Sequence, residues 1–397
     1  MNPPEPQPAR VRPFSPVGWL VATALFLSVA GVYAYLTVFS APPTPDEGYL
    51  MITVQSFIDG HALYDEVFTQ YGPFYYAYKW GVHALLSVPL THDATRMLCM
   101  IHWLTAAVVL GAAGGVMTRS ILAGLLVFTQ AVVHLTALAS EPGHPQELVA
   151  MLLALGMLLA ARETPRFNRL AALAVVAALL VFTKINVGVF FGFALLLVMR
   201  LDAQARSVRR WETWILLGVC AALPFMLMRR HLAAEWCRNY SLLMAGAVSA
   251  AFLVAANPTG DRTPRPTGYA KIACFFLLPS AICLGVVWLT GTTLNGLIDG
   301  LLLTPLKMPG VALLPLPLSN GVVLNAAASL AAALMVRGRA AHPPVRLAVV
   351  GLKAAYGIVG ALCLVGSAKT QLAWLLPWVW LVLVPTGEKK NGSARDH

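Results

Sequence analysis

Apolar runs of membrane-spanning length recur along almost the whole chain, separated by short polar connectors. A helical crossing needs about 20 apolar residues. Candidate runs are 17–40, 73–90, 97–117, 121–139, 148–161, 170–183, 187–199, 212–228, 241–256, 272–290, 320–336, 347–366 and 371–385. The pattern predicts an all-α, polytopic membrane bundle of about 12 to 13 helices, occupying 17–385 as a single integral domain. No internal repeat marks two inverted halves. The Pro-rich head (1–16) and the polar tail (386–397) are expected to be disordered and cytoplasmic.

Composition sharpens this picture. Of 397 residues, 58% are hydrophobic and 11% charged, whereas a soluble protein carries about 25% charged residues. The net charge of +11 then reflects basic loops held on one side of a bilayer, and no nucleic-acid partner is expected. The six cysteines show no CxxC or Cys/His spacing, so neither a zinc site nor a disulfide framework is expected.

The basic residues set a topology. Arg10 and Arg12 place the head in the cytoplasm. Arg162, Arg166 and Arg169 mark a further inside loop, as do Arg200, Arg206, Arg209 and Arg210, then Arg262, Arg265 and Lys271, then Arg337, Arg339 and Arg346, then Lys389, Lys390 and Arg395. The loops at 41–72 and 141–147 then face outside. An even number of crossings must separate two outside loops, so 73–90, with its tyrosines, Lys79 and His83, is read as interfacial or re-entrant. Arg229 and Arg230 fall on the outer side against the rule; either they bind an outward anion or the alternation breaks locally.

Polar chemistry concentrates in the first outside loop. Asp46, Glu47, Asp59, Asp65 and Glu66 lie there among Tyr49, Tyr64 and Tyr71. Adjacent carboxylates can act as a base, hold a metal or orient hydroxyls, and the tyrosines can stack on a ligand or form an interfacial belt. A second polar group is Glu141, His144 and Glu147. The hairpin 170–199 has short arms, which would hold Lys184 and Asn186 below the outer surface. A lysine at that depth is a functional candidate, unless it snorkels to the interface. The segment 291–319 reads as an amphipathic lid or a plain interfacial loop.

An Asp-Glu pair after the first crossing, then Gly60-His61-Ala62-Leu63-Tyr64-Asp65 and Tyr71-Gly72-Pro73, resembles the first external loop of GT-C glycosyltransferases. The nearest branch holds protein O-mannosyltransferases and the lipid A aminoarabinose transferase. Gly143-His144-Pro145 with Glu147, and Thr183-Lys184-Ile185-Asn186-Val187-Gly188, resemble later signatures of its bacterial members. The resemblance covers roughly 17–200. It implies a GT-C-like bundle in a bacterial inner membrane, its active site facing outside. It further implies inverting transfer of a sugar from a polyprenyl-phosphate donor to a cell-envelope acceptor. Asp46 and Glu47 would be the catalytic pair, and Lys184 would sit on the donor phosphate. Asn186, Tyr64, Asp65, Tyr71, Glu141, His144 and Glu147 would line the substrate; Arg229 and Arg230, beyond the matching stretch, are added as substrate-binding candidates from their charge and outward placement alone. No cofactor is implied, since a separated D-x-D for a divalent cation is missing.

Two rival classes remain. A flippase or transporter for a lipid-linked sugar would carry charges near the bilayer midplane. A surface-polysaccharide polymerase or ligase would place basic residues in a large late external loop, where 291–319 has only Lys307.

Overall fold

The computed structural model describes residues 16–42, 44–137, 141–162, 164–203, 210–256, 268–307, 315–337, 339, 342–365 and 372–384. Nearly all of the head and the whole tail expected to be disordered lie outside these residues. So do Arg10, Arg12, Arg206, Arg209, Arg262, Arg265, Lys389, Lys390 and Arg395.

The described chain is helical, with a lone bridge between Leu63 and Val67 in place of any strand. The elements run α1 (Pro16–Ser40), α2 (Pro45–Ile58), α3 (Pro73–Trp80), α4 (His92–Thr118), α5 (Ile121–Ala137), α6 (Gln146–Ala161), α7 (Arg166–Val181) and α8 (Ile185–Ala203). They continue with α9 (Arg210–Met228), α10 (Glu235–Ala255), α11 (Tyr269–Leu289), α12 (Leu294–Ile298), α13 (Thr304–Lys307), α14 (Asn320–Val336), α15 (Pro343–Val365) and α16 (Leu372–Leu375). Among the described residues, six helices are long and apolar enough to cross a membrane: those containing 23–40, 92–118, 211–228, 235–255, 269–289 and 343–363.

The helices group into two compact units. The first holds α1–α7, the start of α8 through Leu195, and α11–α13. Its centre is α4, which packs on α5 and α6, while α1 lies on α4 and α5. Small residues let two backbones approach, as expected where lipid supplies no hydrophobic drive between helices. A Cβ on Gly111 would come 2.9 Å from the Gly124 carbonyl, and one on Gly124 would come 2.8 Å from that of Gly111.

The second unit holds the rest of α8 with α9, α10, α14, α15 and α16. Here α10 packs on α9, α14 and the C-terminal turn. The run 371–385 does not form the expected crossing helix. It is α16 followed by a 3-10 stretch, Leu376–Leu383. Pro377 lacks an amide hydrogen and cannot sit inside a regular α-helix without losing a bond. Side chains satisfy carbonyls along this stretch: Ser329 donates to Pro377 O at 2.7 Å, Asn325 to Trp374 O at 2.8 Å and Lys353 to Val384 O at 2.6 Å.

Two other expectations change. The run 73–90 becomes the eight-residue α3 and a π-helical turn, Gly81–Leu85. The hairpin arms are also longer than expected, 16 residues in α7 and 19 in α8. At 1.5 Å per residue they reach about 24 and 28 Å. Short arms therefore no longer argue that Lys184 is submerged.

The joint that positions the first unit's polar residues is between α3 and α7. Gly72 N–H donates to Thr183 O at 3.0 Å and Phe74 N–H to Phe182 O at 2.8 Å. The free amides at the start of one helix thus satisfy free carbonyls at the end of another. A Cβ on Gly72 would sit 2.1 Å from the Phe182 carbonyl oxygen, a contact that backbone cannot yield. Gly72→Ala is therefore expected to destabilise the protein by about 2 kcal/mol or more, read as a lowered thermal transition in detergent. An unchanged transition would remove this joint from the account.

Candidate functional site

Helix α2 begins at Thr44, whose hydroxyl accepts the Glu47 amide hydrogen at 3.4 Å, with Pro45 in the first turn. Thr44 and Glu47 have the spacing of a capping box, but the Glu47 carboxylate does not return to close it. It turns inward, fully buried, and accepts from Arg96 Nε at 3.2 Å and Arg96 Nη2 at 3.1 Å. His92 Nδ1 lies 3.0 Å from the same carboxylate. Arg96 Nη1 also donates to Ala41 O at 2.8 Å, just beyond the end of α1. Burial pushes the Glu47 carboxyl up, but the hydrogen bonds from Arg96 and His92 outweigh it and hold the group below its usual range. So engaged, Glu47 ties α1, α2 and α4 together and offers a ligand no approach, contrary to the catalytic role expected of it. Asp46, its neighbour, is exposed.

Tyr71 lies just before α3, and Tyr75 and Tyr78, three apart, share one face of it. Tyr71 Oη is 2.8 Å from His144 Nε2, Tyr75 donates to Gly143 O at 2.7 Å, and Tyr78 Oη is 2.5 Å from His102 Nε2. Gly143 has φ +83°, a conformation that favours glycine, and a Cβ there would lie 2.8 Å from the Thr95 side chain. Its amide donates to Glu147 Oε1 at 2.5 Å. The Gln146 amide donates to His144 Nδ1 at 3.1 Å. In neutral His144 the proton is therefore on Nε2, which donates to Tyr71 Oη.

Five residues thus share one electrostatic neighbourhood. Burial and the Lys184 charge push His144 down to about 4, with Glu147 opposing. Burial likewise lowers Lys184, with Glu141 opposing. Tyr71 is raised to about 12 by burial, against a hydrogen bond from Gln70 and with the charges of Glu141 and Asp46 adding. Glu141 Oε2 lies 3.8 Å from His144 Nε2. The result is a cation, two carboxylates, a neutral imidazole and a phenol, suited to a small ligand with charges of both signs.

Other expected site residues have structural partners. Asp65 accepts from Thr293 N at 2.6 Å and Thr293 Oγ1 at 2.8 Å, fixing the start of α12, and Tyr64 donates to Tyr71 O at 2.8 Å. Asn186 is exposed in the first turn of α8, its Oδ1 accepting from the Val187 amide. Glu147 is buried beneath the cluster rather than lining it. Arg229 and Arg230 belong to the second unit, in the turn after α9. Sequence reasoning missed Arg96, His92, His102 and Tyr78. A lone Arg and His at the edge of and within an apolar run were the available signal. Among the described residues, no group of three or more His, Cys, Asp or Glu could hold a metal ion.

The family model that matches is SoxG, the sarcosine oxidase, gamma subunit family, over residues 337–396. No curated protein and no solved structure matches. The matched stretch is a small C-terminal part of the chain, within the second unit. This finding corrects the glycosyltransferase reading: the match names an oxidase subunit, and no GT-C family model matches. Sugar transfer, the polyprenyl-phosphate donor, the envelope acceptor and the flippase alternative are withdrawn with it.

Two predictions follow from the geometry of the first unit. Arg96→Met leaves the Glu47 carboxylate buried without its main partner and is expected to cost about 3–5 kcal/mol, measured by denaturant or thermal unfolding. His144 has a folded value of about 4 against 6.5, so the unfolded chain binds the extra proton between those pH values. Its contribution is full above 6.5 and declines as pH falls toward 4. His144→Gln should flatten the stability–pH slope in that window; an unaltered slope would mean that His144 is not held neutral.

Proposed function

We propose that the chain is an integral-membrane component working with an oxidase, which its C-terminal stretch 337–396 engages. The observation that carries this reading is the match of that stretch to the sarcosine oxidase gamma subunit family. Arg337, Arg339 and Arg346 cluster where the stretch enters α15. Under the positive-inside rule such residues favour the cytoplasmic face of a bacterial inner membrane. Six helices of spanning length support membrane residence.

In the same reading, Asp46, Tyr71, Glu141, His144 and Lys184 form an outward-facing site for a small ligand bearing an ammonium and a carboxylate. Lys184 would take the carboxylate, with Asp46 and Glu141 on the ammonium. Sarcosine carries that pair of charges.

Sarcosine-dependent oxygen uptake is expected in membranes containing the full chain and lost when residues 337–396 are deleted. Undiminished uptake in membranes lacking the chain altogether would overturn the oxidase association. Lys184→Met should raise the half-saturating sarcosine concentration about 10- to 100-fold, the worth of a charged hydrogen bond.

A further inference from the structure

A second constellation lies apart from the Lys184 cluster, where α3, α4 and α6 meet. Tyr78 Oη is 2.5 Å from His102 Nε2, and His102 Nδ1 is 3.0 Å from Glu147 Oε2. Glu147 Oε1 accepts from the Gly143 amide at 2.5 Å. An ionised carboxylate can only accept, so His102 carries its proton on Nδ1 and presents Nε2 as an acceptor to the Tyr78 hydroxyl. Every donor in the chain points toward Glu147. His102 and Glu147 are buried, at 4% and 2% exposure, while Tyr78 is only half-buried. Tyr78 is the least buried member of the hydrogen-bonded chain.

Hydroxyl, imidazole and carboxylate in this order are recognised by geometry and role, whatever their order in the chain. The other charged or titratable groups that interact with Glu147 include Lys79, Cys99, Tyr75 and His144. Lys79 is buried over the Tyr75 ring, 5.9 Å from its centroid. Its positive charge helps keep the carboxylate ionised. Around Tyr78 the wall is apolar, built from Phe74, Leu148, Leu152 and Val176.

We propose that Tyr78 is a nucleophile, with His102 as its base and Glu147 orienting the imidazole, and that it accepts an acyl group from an apolar activated ester. In the step, the Tyr78 oxygen bonds to the acyl carbon and the bond from that carbon to the leaving-group oxygen breaks. The leaving group departs with the electron pair, and the phenol proton passes to His102 Nε2. The imidazolium formed is stabilised by Glu147. Burial, with the Glu147 charge adding, keeps the Tyr78 phenol above its usual range. The hydroxyl thus reacts as a neutral group that loses its proton during attack. This site involves no residue of 337–396 and stands or falls separately from the oxidase association.

The test uses p-nitrophenyl acetate on the full chain in detergent. The expected result is a burst of nitrophenolate and an acetyl group on Tyr78 by peptide mass spectrometry. Tyr78→Phe should abolish the burst, and His102→Gln should slow acetylation at Tyr78 by about 100-fold, the usual worth of a positioned base. Each variant is compared only where its thermal transition matches the parent. Nitrogen-15 spectra of histidine-labelled parent protein should show His102 protonated on Nδ1. Acetylation of Tyr78 no faster than that of exposed Tyr49, an equal rate in His102→Gln, or a proton on Nε2 would each overturn the proposal.

Discussion

The buried pair of Glu47 and Arg96 is the constraint on which the first unit depends. Two charges removed from water gain stability only when geometry and further hydrogen bonds replace the lost solvation. Here both carboxylate oxygens are used and Arg96 also reaches the Ala41 carbonyl. One side chain therefore locks the exit from α1, the first turn of α2 and the start of α4. That lock fixes where α2 begins, the helix that leads into the loop of residues 59–72. The Gly72 joint fixes where that loop ends, against α7. Between these anchors, Tyr71 is delivered to His144 and Lys184.

Helical geometry explains why the acidic pair divides. Successive residues on a helix point about 100° apart, so Asp46 and Glu47 cannot face one cavity once α2 begins at Pro45. One carboxylate enters the core and the other remains in solvent. The sequence made the pair conspicuous and made its location after the first crossing legible. It did not show which member was structural, because the deciding partner, Arg96, lies 49 positions away in sequence. Arg96 also precedes the apolar run 97–117, so periodicity placed it in a loop rather than in the second turn of α4.

The helical class and most of the long helices were legible because about 20 apolar residues are a strong signal. Failures came where backbone chemistry overrode hydropathy. The last apolar run has a suitable composition, yet Pro377 and side-chain donors from α14 and α15 give it a 3-10 path. The run 73–90 is apolar enough to draw attention, but three tyrosine hydroxyls need polar partners and find them within the unit, and Lys79 lies over the Tyr75 ring. Hydropathy counts residues and does not see those partners. The first-loop resemblance failed for a related reason: a few residues of common loop chemistry occur without the activity that usually accompanies them.

The two polar constellations of the first unit also differ in a way that follows from solvation. At Lys184 the charges are partly wet and of both signs, so a ligand can replace water one contact at a time. At Glu147 the charge is sealed, both oxygens are filled, and the field passes outward through His102 to Tyr78. A buried carboxylate with no direct access can still act at a distance when its hydrogen-bonded chain is polarised in one direction. The same Gly143–Glu147 turn supports both, since its His144 faces Tyr71 and its Glu147 faces His102. A shift of that turn would therefore disturb both constellations together, which is why its φ +83° glycine and the Tyr75 bond to Gly143 O are central to the unit.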